Sequence, residues 1–185
     1  MFAPTEKDCA ERIRLFTGER VVSGAGAAHV LGEEACRALL LLGVPGAAAG
    51  DALRRASEGA ARFMADAAAR ECHAGRPFLG RYCCGTCSVS LWRHLAAGGM
   101  DEAVRRRWLA AAIRGMKAAR TGDGRWRHVP FHYVLSALVE IDAPGAVAEM
   151  RHAAPALERL LRRPAREDAH DRRRRTLAQR ILARC

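Results

Sequence analysis

The stretch Ile113–Leu138, IRGMKAARTGDGRWRHVPFHYVLSAL, decides how this sequence folds. Its first part, up to Arg120, is rich in alanine and long unbranched side chains, which lose little side-chain entropy in a helix. The next part, TGDGRWRHVP, carries the glycines and proline that punctuate a chain. From Pro130 to Ile141 apolar residues return, with Phe131, Leu135 and Leu138 on one side of a helix. The stretch therefore predicts a helix, a polar turn and a second helix. Gly124 supplies the turn with a residue that accepts a positive φ. Trp126 offers a large apolar surface to cover the end of the helix pair.

The same alternation extends in both directions. Thr5 is a good N-cap for a helix over Lys7–Phe16, which Gly18 ends. Helices follow over Ala27–Leu42, closed by Gly43 and Pro45, and over Asp51–Arg70. Another runs from Thr86 to Ala97 and stops at Gly98-Gly99. Asp101 caps the helix that reaches Arg120. Pro144 is placed to start a helix. Pro155 and Pro164 are placed to divide the segment after it, and the last helix covers Asp168–Ala183 with Leu177, Ile181 and Leu182 inward. No segment predicts a strand. Half the residues are hydrophobic and few are aromatic. We expect one all-α domain over residues 1–185, built from about eight helices and long enough to bury a substantial core.

Two regions of the chain look alike. LFTGER resembles ARTGDGR, and LLLLGVPGAAAGDAL resembles LVEIDAPGAVAEM about twenty residues further on. Leu39, Pro45, Gly46, Ala47 and Ala49 correspond to Leu138, Pro144, Gly145, Ala146 and Ala148. A duplicated unit, about 17–53 and 121–150, accounts for this, stacking its helices to bury a shared core.

Asp123, Gly124 and Trp126, between two helices, give the stretch a resemblance to the repeat of the terpenoid cyclase and protein prenyltransferase α/α toroids. Their pattern is Gln-x-x-Asp-Gly-x-Trp, and Arg120 stands at the glutamine position. The resemblance covers about residues 101–142. It implies paired helices in a toroid-like or solenoid array. The cyclase acid motif Asp-x-Asp-Asp is absent, so cyclase chemistry is not implied.

YCCGTCSVSLWRHL, Tyr82–Leu95, concentrates cysteines at the start of a helix. Cys84 and Cys87 form C-x-x-C, with Cys83 adjacent. Thiolates at this spacing reach one tetrahedral zinc ion. A dithiol redox site is the second chemistry, since a helix N-terminus lowers a thiol pKa. Burial as small apolar residues is the third reading, and Cys9, Cys36 and Cys72 share it. For zinc, His128 and His132 are candidate partners. Protein prenyltransferases bind zinc with a carboxylate, a cysteine before an aromatic helix and a later histidine. CGTCSVSLW followed by FHYVLSAL is similar in order, and implies Cys84, Cys87 and His132 as the metal residues, although no acid stands at the carboxylate position.

GAGAAH, Gly24–His29, reads as a turn into a helix rather than a dinucleotide fingerprint, because no strand precedes it. His29 and Glu33 share a helix face, and a solvated surface with a local ion pair is the plainer account of them. The net charge of +11 lies mainly in residues 151–185, which hold eleven Arg against four Asp or Glu. Arg173, Arg180 and Arg184 approach one stripe that an anionic partner such as nucleic acid would meet, though no aromatic residues interleave to stack bases. An arginine-rich composition is the competing explanation. No apolar run is long enough to span a membrane, no signal peptide is visible, and the unpaired cysteine number fits a reducing compartment, so we expect a cytoplasmic protein. Three functions are compatible with these features. The first is a binding module whose helix ends line a concave apolar pocket for a small molecule or peptide, near Trp92, Trp126, Phe131, His132 and Tyr133. The second is a zinc- or thiol-dependent enzyme. The third is an arginine-mediated nucleic-acid binder. The sequence names no catalytic residue and, outside the cysteine cluster, no cofactor.

Overall fold

The computed structural model of the protein describes residues 13–43, 45–73 and 79–185. They form seven helices: α1 Gly24–Leu42, α2 Ala47–His73, α3 Gly85–Ala96, α4 Glu102–Ala119, α5 Phe131–Glu140, α6 Ala146–Arg162 and α7 Ala169–Leu182. Among the described residues there is no strand; isolated bridges pair Arg14 with Arg20 and Arg120 with Trp126. No helix among them is long and apolar enough to cross a membrane.

Three starts are capped by side-chain oxygens that accept otherwise orphaned backbone N–H groups. Ser23 caps α1 through Gly26 N, Asp101 caps α4 through Val104 N, and Asp168 caps α7 through Asp171 N. Three expectations need correction. Gly24–His29, expected as a turn into a helix, already forms the first turns of α1. Thr5 and most of the Lys7–Phe16 helix lie outside the described residues, but Ile13–Phe16 belongs to a turn. Pro155 does not divide its segment, because α6 runs through it. Its ring is exposed while Met150, Ala153, Ala156 and Leu157 are buried. That packing offsets the hydrogen bond which proline cannot make.

Helix α3 lies at the centre of the packing. It touches α1, α4 and α5; α2 backs α1, and α6 lies against α4, α5 and α7. Cys87, Val89, Leu91 and Leu95 of α3 are wholly buried. So is nearly all of Arg93, which would be costly to bury alone. Carboxylates from both flanking helices meet it: Glu34 of α1 at 2.5 Å and Glu140 of α5 at 3.0 Å from both Nε and Nη2. Arg37 adds a second cation on Glu140 at 2.7 Å, and Tyr133 donates to Glu34 at 2.6 Å. The Arg93 guanidinium also lies over the rings of Phe16 and Tyr133.

Two turns share one backbone pattern. Leu15 N donates to Glu19 O, Gly18 N to Leu15 O and Val21 N to Ile13 O. Thr121, Gly124 and Arg127 repeat these bonds toward Arg125, Thr121 and Ala119, each 106 residues later. The glycines match as well, with φ of +90° at Gly18 and +83° at Gly124. Downstream, α2 and α6 start at Ala47 and Ala146, which are 99 apart. The register changes because α1 has 19 residues and α5 only 10.

Candidate thiol and metal site

The cysteine segment is held from both sides. Before α3, Trp92 Nε1 donates to Gly80 O at 2.8 Å, and Tyr82 N donates to Ser88 Oγ at 3.0 Å. Ser88 Oγ in turn donates to Cys84 O at 2.8 Å, which fixes Cys84 as the N-cap of α3. Gly85 lies against the turn before α5 so closely that a Cβ would overlap the carbonyl of His128. His128 itself takes a φ of +65°, uncommon for a side-chain-bearing residue.

Helix α1 completes the group. Its N-terminal turns pack on α3, with Cys87 Sγ 3.9 Å from Gly26 O and Ser90 Oγ 3.4 Å from Val30 O. His29 thereby reaches the first turn of α3. A ring nitrogen of His29 and the sulfurs of Cys83 and Cys87 lie within 4.8 Å of one another. Cys84 Sγ is 3.4 Å from Cys87 Sγ. The His29 ring is flanked by Phe63 and Tyr82, with centroids at 5.5 and 5.4 Å. Its Nδ1 is buried without a hydrogen-bond partner. Such an atom in a native fold calls for an explanation, a bound ion among them.

The thiols differ in character. Burial opposes ionisation of Cys84, but backbone N–H groups at the start of α3 and the Cys87 thiol hold its pKa below the ordinary value. Burial pushes the Cys87 thiol up, and the neighbouring Cys84 adds to the shift. Cys83 and Cys84 are exposed, whereas Cys87 is buried.

A cleft of about 400 Å³ opens beside the cluster, lined by Cys83, Cys84, Ser88, Trp92, Met116 and Trp126. Arg81, Arg127 and His128 also border it. Trp126 is fixed by a 2.9 Å bond from Nε1 to Glu149, a buried carboxylate that Arg120 also holds at 2.8 and 3.0 Å. It braces the start of α6 as well as walling the cleft.

The five residues expected around one pocket are thus divided. Trp92 and Trp126 share this cleft. Phe131 and His132 line a second one, and Tyr133 is wholly buried. His132 does not join Cys84 and Cys87; its Nδ1 is 3.3 Å from Glu19, and its backbone N donates to the same carboxylate at 2.7 Å. Burial opposes ionisation of Glu19, yet hydrogen bonds from His132 outweigh it and bring the carboxyl down to about 2. The histidine beside the thiols is His29, whose neighbour Glu33 instead turns to His94 at 2.5 Å. His29 had only a four-residue spacing to Glu33 to mark it; nothing local in the sequence joins it to cysteines more than fifty residues away. The arginines of the basic tail also part: Arg173 donates to Phe16 O and Arg184 to Val139 O, while Arg180 is exposed.

Comparison of the chain with protein families, with curated proteins and with solved structures finds no match.

Proposed function

We propose that the chain is a helical ligand-binding module whose aromatic cleft carries a zinc–thiolate centre, with His29, Cys83 and Cys87 as ligands and Cys84 available as the fourth. The observation that carries this reading is the convergence of one imidazole nitrogen and two sulfurs within 4.8 Å. Zinc takes sulfur at about 2.3 Å and imidazole nitrogen at about 2.0 Å, so its ligand atoms sit roughly 3.3–3.8 Å apart. Small side-chain rotations close that difference. Thiolate and imidazole together suit zinc better than hard cations. If Cys84 leaves the ion, the fourth position is free for a ligand, as catalytic zinc requires. Trp92, Met116 and Trp126 beside it favour a small, largely apolar molecule. In this reading the paired helices form a toroid-like or solenoid array, which the two matching turns support, and the protein works in a reducing compartment such as the cytoplasm, which the free thiols support.

Cobalt(II) tests the ligand set, because it reports thiolate ligation and tetrahedral geometry in its visible spectrum. The wild-type protein is expected to show both, His29→Ala to lose the tetrahedral bands, and His132→Ala to keep them. Identical spectra for the wild-type and His29→Ala proteins would overturn the assignment.

The short Cys84–Cys87 separation and the contrast between the two thiols support a second reading, thiol–disulfide exchange. The Cys84 thiolate attacks one sulfur of a partner disulfide and expels the other as a thiolate. Cys87 then loses its proton and attacks the mixed disulfide, leaving a Cys84–Cys87 disulfide and a reduced partner. This reading needs neither His29 nor Cys83. Metal-free protein treated with oxidised glutathione is expected to form that bond in the Cys83→Ser variant as in wild type; absence of the bond would exclude the exchange.

A further inference from the structure

The second cleft, of about 290 Å³, lies among the turn before α5, the end of α6, the connection to α7 and α7 itself. Arginines reach it from every side: Arg125, Arg159, Arg163, Arg166, Arg174 and Arg175. Two acids, Asp168 and Asp171, share its lining, and both are already engaged. Asp168 accepts from Asp171 N at 2.8 Å; Asp171 accepts from Arg166 N at 2.9 Å and Arg175 Nε at 2.8 Å. Four of the guanidinium groups are positioned by the fold. Arg174 donates to Thr17 O and Arg159 to Asp123 O, Arg175 donates to the carbonyls of Leu161 and Arg163, and Arg125 lies over the Phe131 ring at 4.6 Å. Arg163 and Arg166 are exposed and make no side-chain salt bridge among the described residues, although the Arg166 backbone N–H, Arg175 and the Arg166 charge together help hold the Asp171 carboxyl in its ionised form.

Six positive charges around one small concavity repel one another; Asp168 and Asp171 in the lining and Asp123, 3.6 Å from Arg125, offset part of that repulsion and leave about half the charge uncompensated. A bound polyanion relieves it. From this juxtaposition we infer that the cleft binds an oligophosphate, a compact anion of two or more linked phosphoryl groups. Guanidinium groups present paired N–H donors that match phosphate oxygens, and they keep their charge at any physiological pH. The small volume favours a short phosphate chain over an extended strand. One face of the Phe131 ring is covered by Arg125, and Trp126 approaches it with centroids 6.0 Å apart. His132 packs edge-on against the same ring at 5.1 Å, so Phe131 offers a nucleobase little open face, and recognition rests on the phosphates. The site is independent of the cysteine cluster and stands or falls without it.

Calorimetric titration of the full chain with tripolyphosphate, pyrophosphate and orthophosphate, in roughly 0.15 M salt, tests this. Tripolyphosphate is expected to bind at least about tenfold more tightly than orthophosphate, with pyrophosphate between them. The double variant Arg163→Gln/Arg166→Gln removes two exposed side chains that make no salt bridge, and is expected to weaken tripolyphosphate by about tenfold or more. Arg172→Gln/Arg180→Gln removes the same charge from exposed positions outside the cleft and is expected to leave the affinity within about twofold. Absence of tripolyphosphate binding, or equal weakening by the two double variants, would overturn the site. A single-stranded oligonucleotide that binds more tightly than tripolyphosphate, and is weakened equally by both pairs, would replace it with an extended basic surface.

Discussion

Arg93 of α3 and Glu140 of α5 form a two-pronged ion pair, with Nε 3.0 Å from Oε2 and Nη2 3.0 Å from Oε1. The Arg93 side chain is 5 % exposed, and Glu34 completes its shell from α1. Removing Arg93 leaves Glu34 and Glu140, each about a quarter exposed, to share Arg37, so the cost falls at the low end of that for breaking a buried pair, about 3 kcal/mol. Arg93→Ala is therefore expected to shift the denaturation midpoint strongly, with Glu34→Gln/Glu140→Gln in the same background recovering part of the loss. A change under about 1 kcal/mol, typical of a surface pair, would show that α1, α3 and α5 do not depend on this residue.

Gly85 and Gly32 make opposed cases. A Cβ at Gly85 would overlap the His128 carbonyl, whereas one at Gly32 meets nothing within 4 Å. Gly85→Ala is expected to cost about 1–3 kcal/mol through the displaced turn. Gly32→Ala, in the middle of α1, is expected to stabilise by about 0.5–1 kcal/mol through helix propensity and a less flexible unfolded chain. Urea midpoints of the two variants decide; a Gly85→Ala midpoint no lower than wild type would contradict the close approach of α3 to the turn before α5.

Glu19 links the first turn to α5 through His132 and keeps its charge down to a pH of about 2. A carboxyl whose folded pKa lies below its unfolded value stabilises above the unfolded value, near 4.3, and loses that stabilisation as pH falls toward 2. Wild type is expected to exceed Glu19→Gln by about 2 kcal/mol at pH 6, with the gap closing between roughly pH 4.5 and pH 2. A gap that does not change with pH over that interval would assign the difference to shape rather than to charge.

The contrast between Cys84 and Cys87 is open to alkylation. In metal-free protein near neutral pH, iodoacetamide is expected to modify Cys84 well before Cys87, because Cys84 is exposed and its thiolate is favoured by the start of α3. Peptide mass spectrometry over a time course reads the order directly. Cys87 reacting first would reverse the roles given to the two thiols.

The helices were legible because their signals are local. Alanine-rich runs, Asp101 as a cap, and glycines between elements all act within a few residues, whereas Ser23, in a stretch that reads as a loop, starts α1 three residues before the expected Ala27. Pro155 misled because a proline's local cost is visible in sequence while the packing that offsets it is not. The likeness of the two turns was legible as sequence similarity, but the difference in length between α1 and α5 was not, since extra helical turns leave no mark in composition. The cysteines announced themselves by spacing. His29 did not, because its place beside them depends on α1 packing against α3. The buried Glu33–His94 pair, 61 positions apart, was hidden for the same reason, and the His29–Glu33 spacing pointed to a solvated surface instead.

The central claim is that His29, Cys83 and Cys87 hold a metal ion, and metal content measures it most directly. Protein purified without chelators or a metal-affinity tag is expected to carry close to one zinc per chain by plasma mass spectrometry. That zinc should be released on acidification, as the thiolates regain their protons. His29→Ala and Cys87→Ser are expected to carry far less, and His132→Ala as much as wild type. A wild-type preparation that is metal-free and binds no added zinc tightly would contradict the claim, and the cysteines would then serve packing or thiol exchange alone.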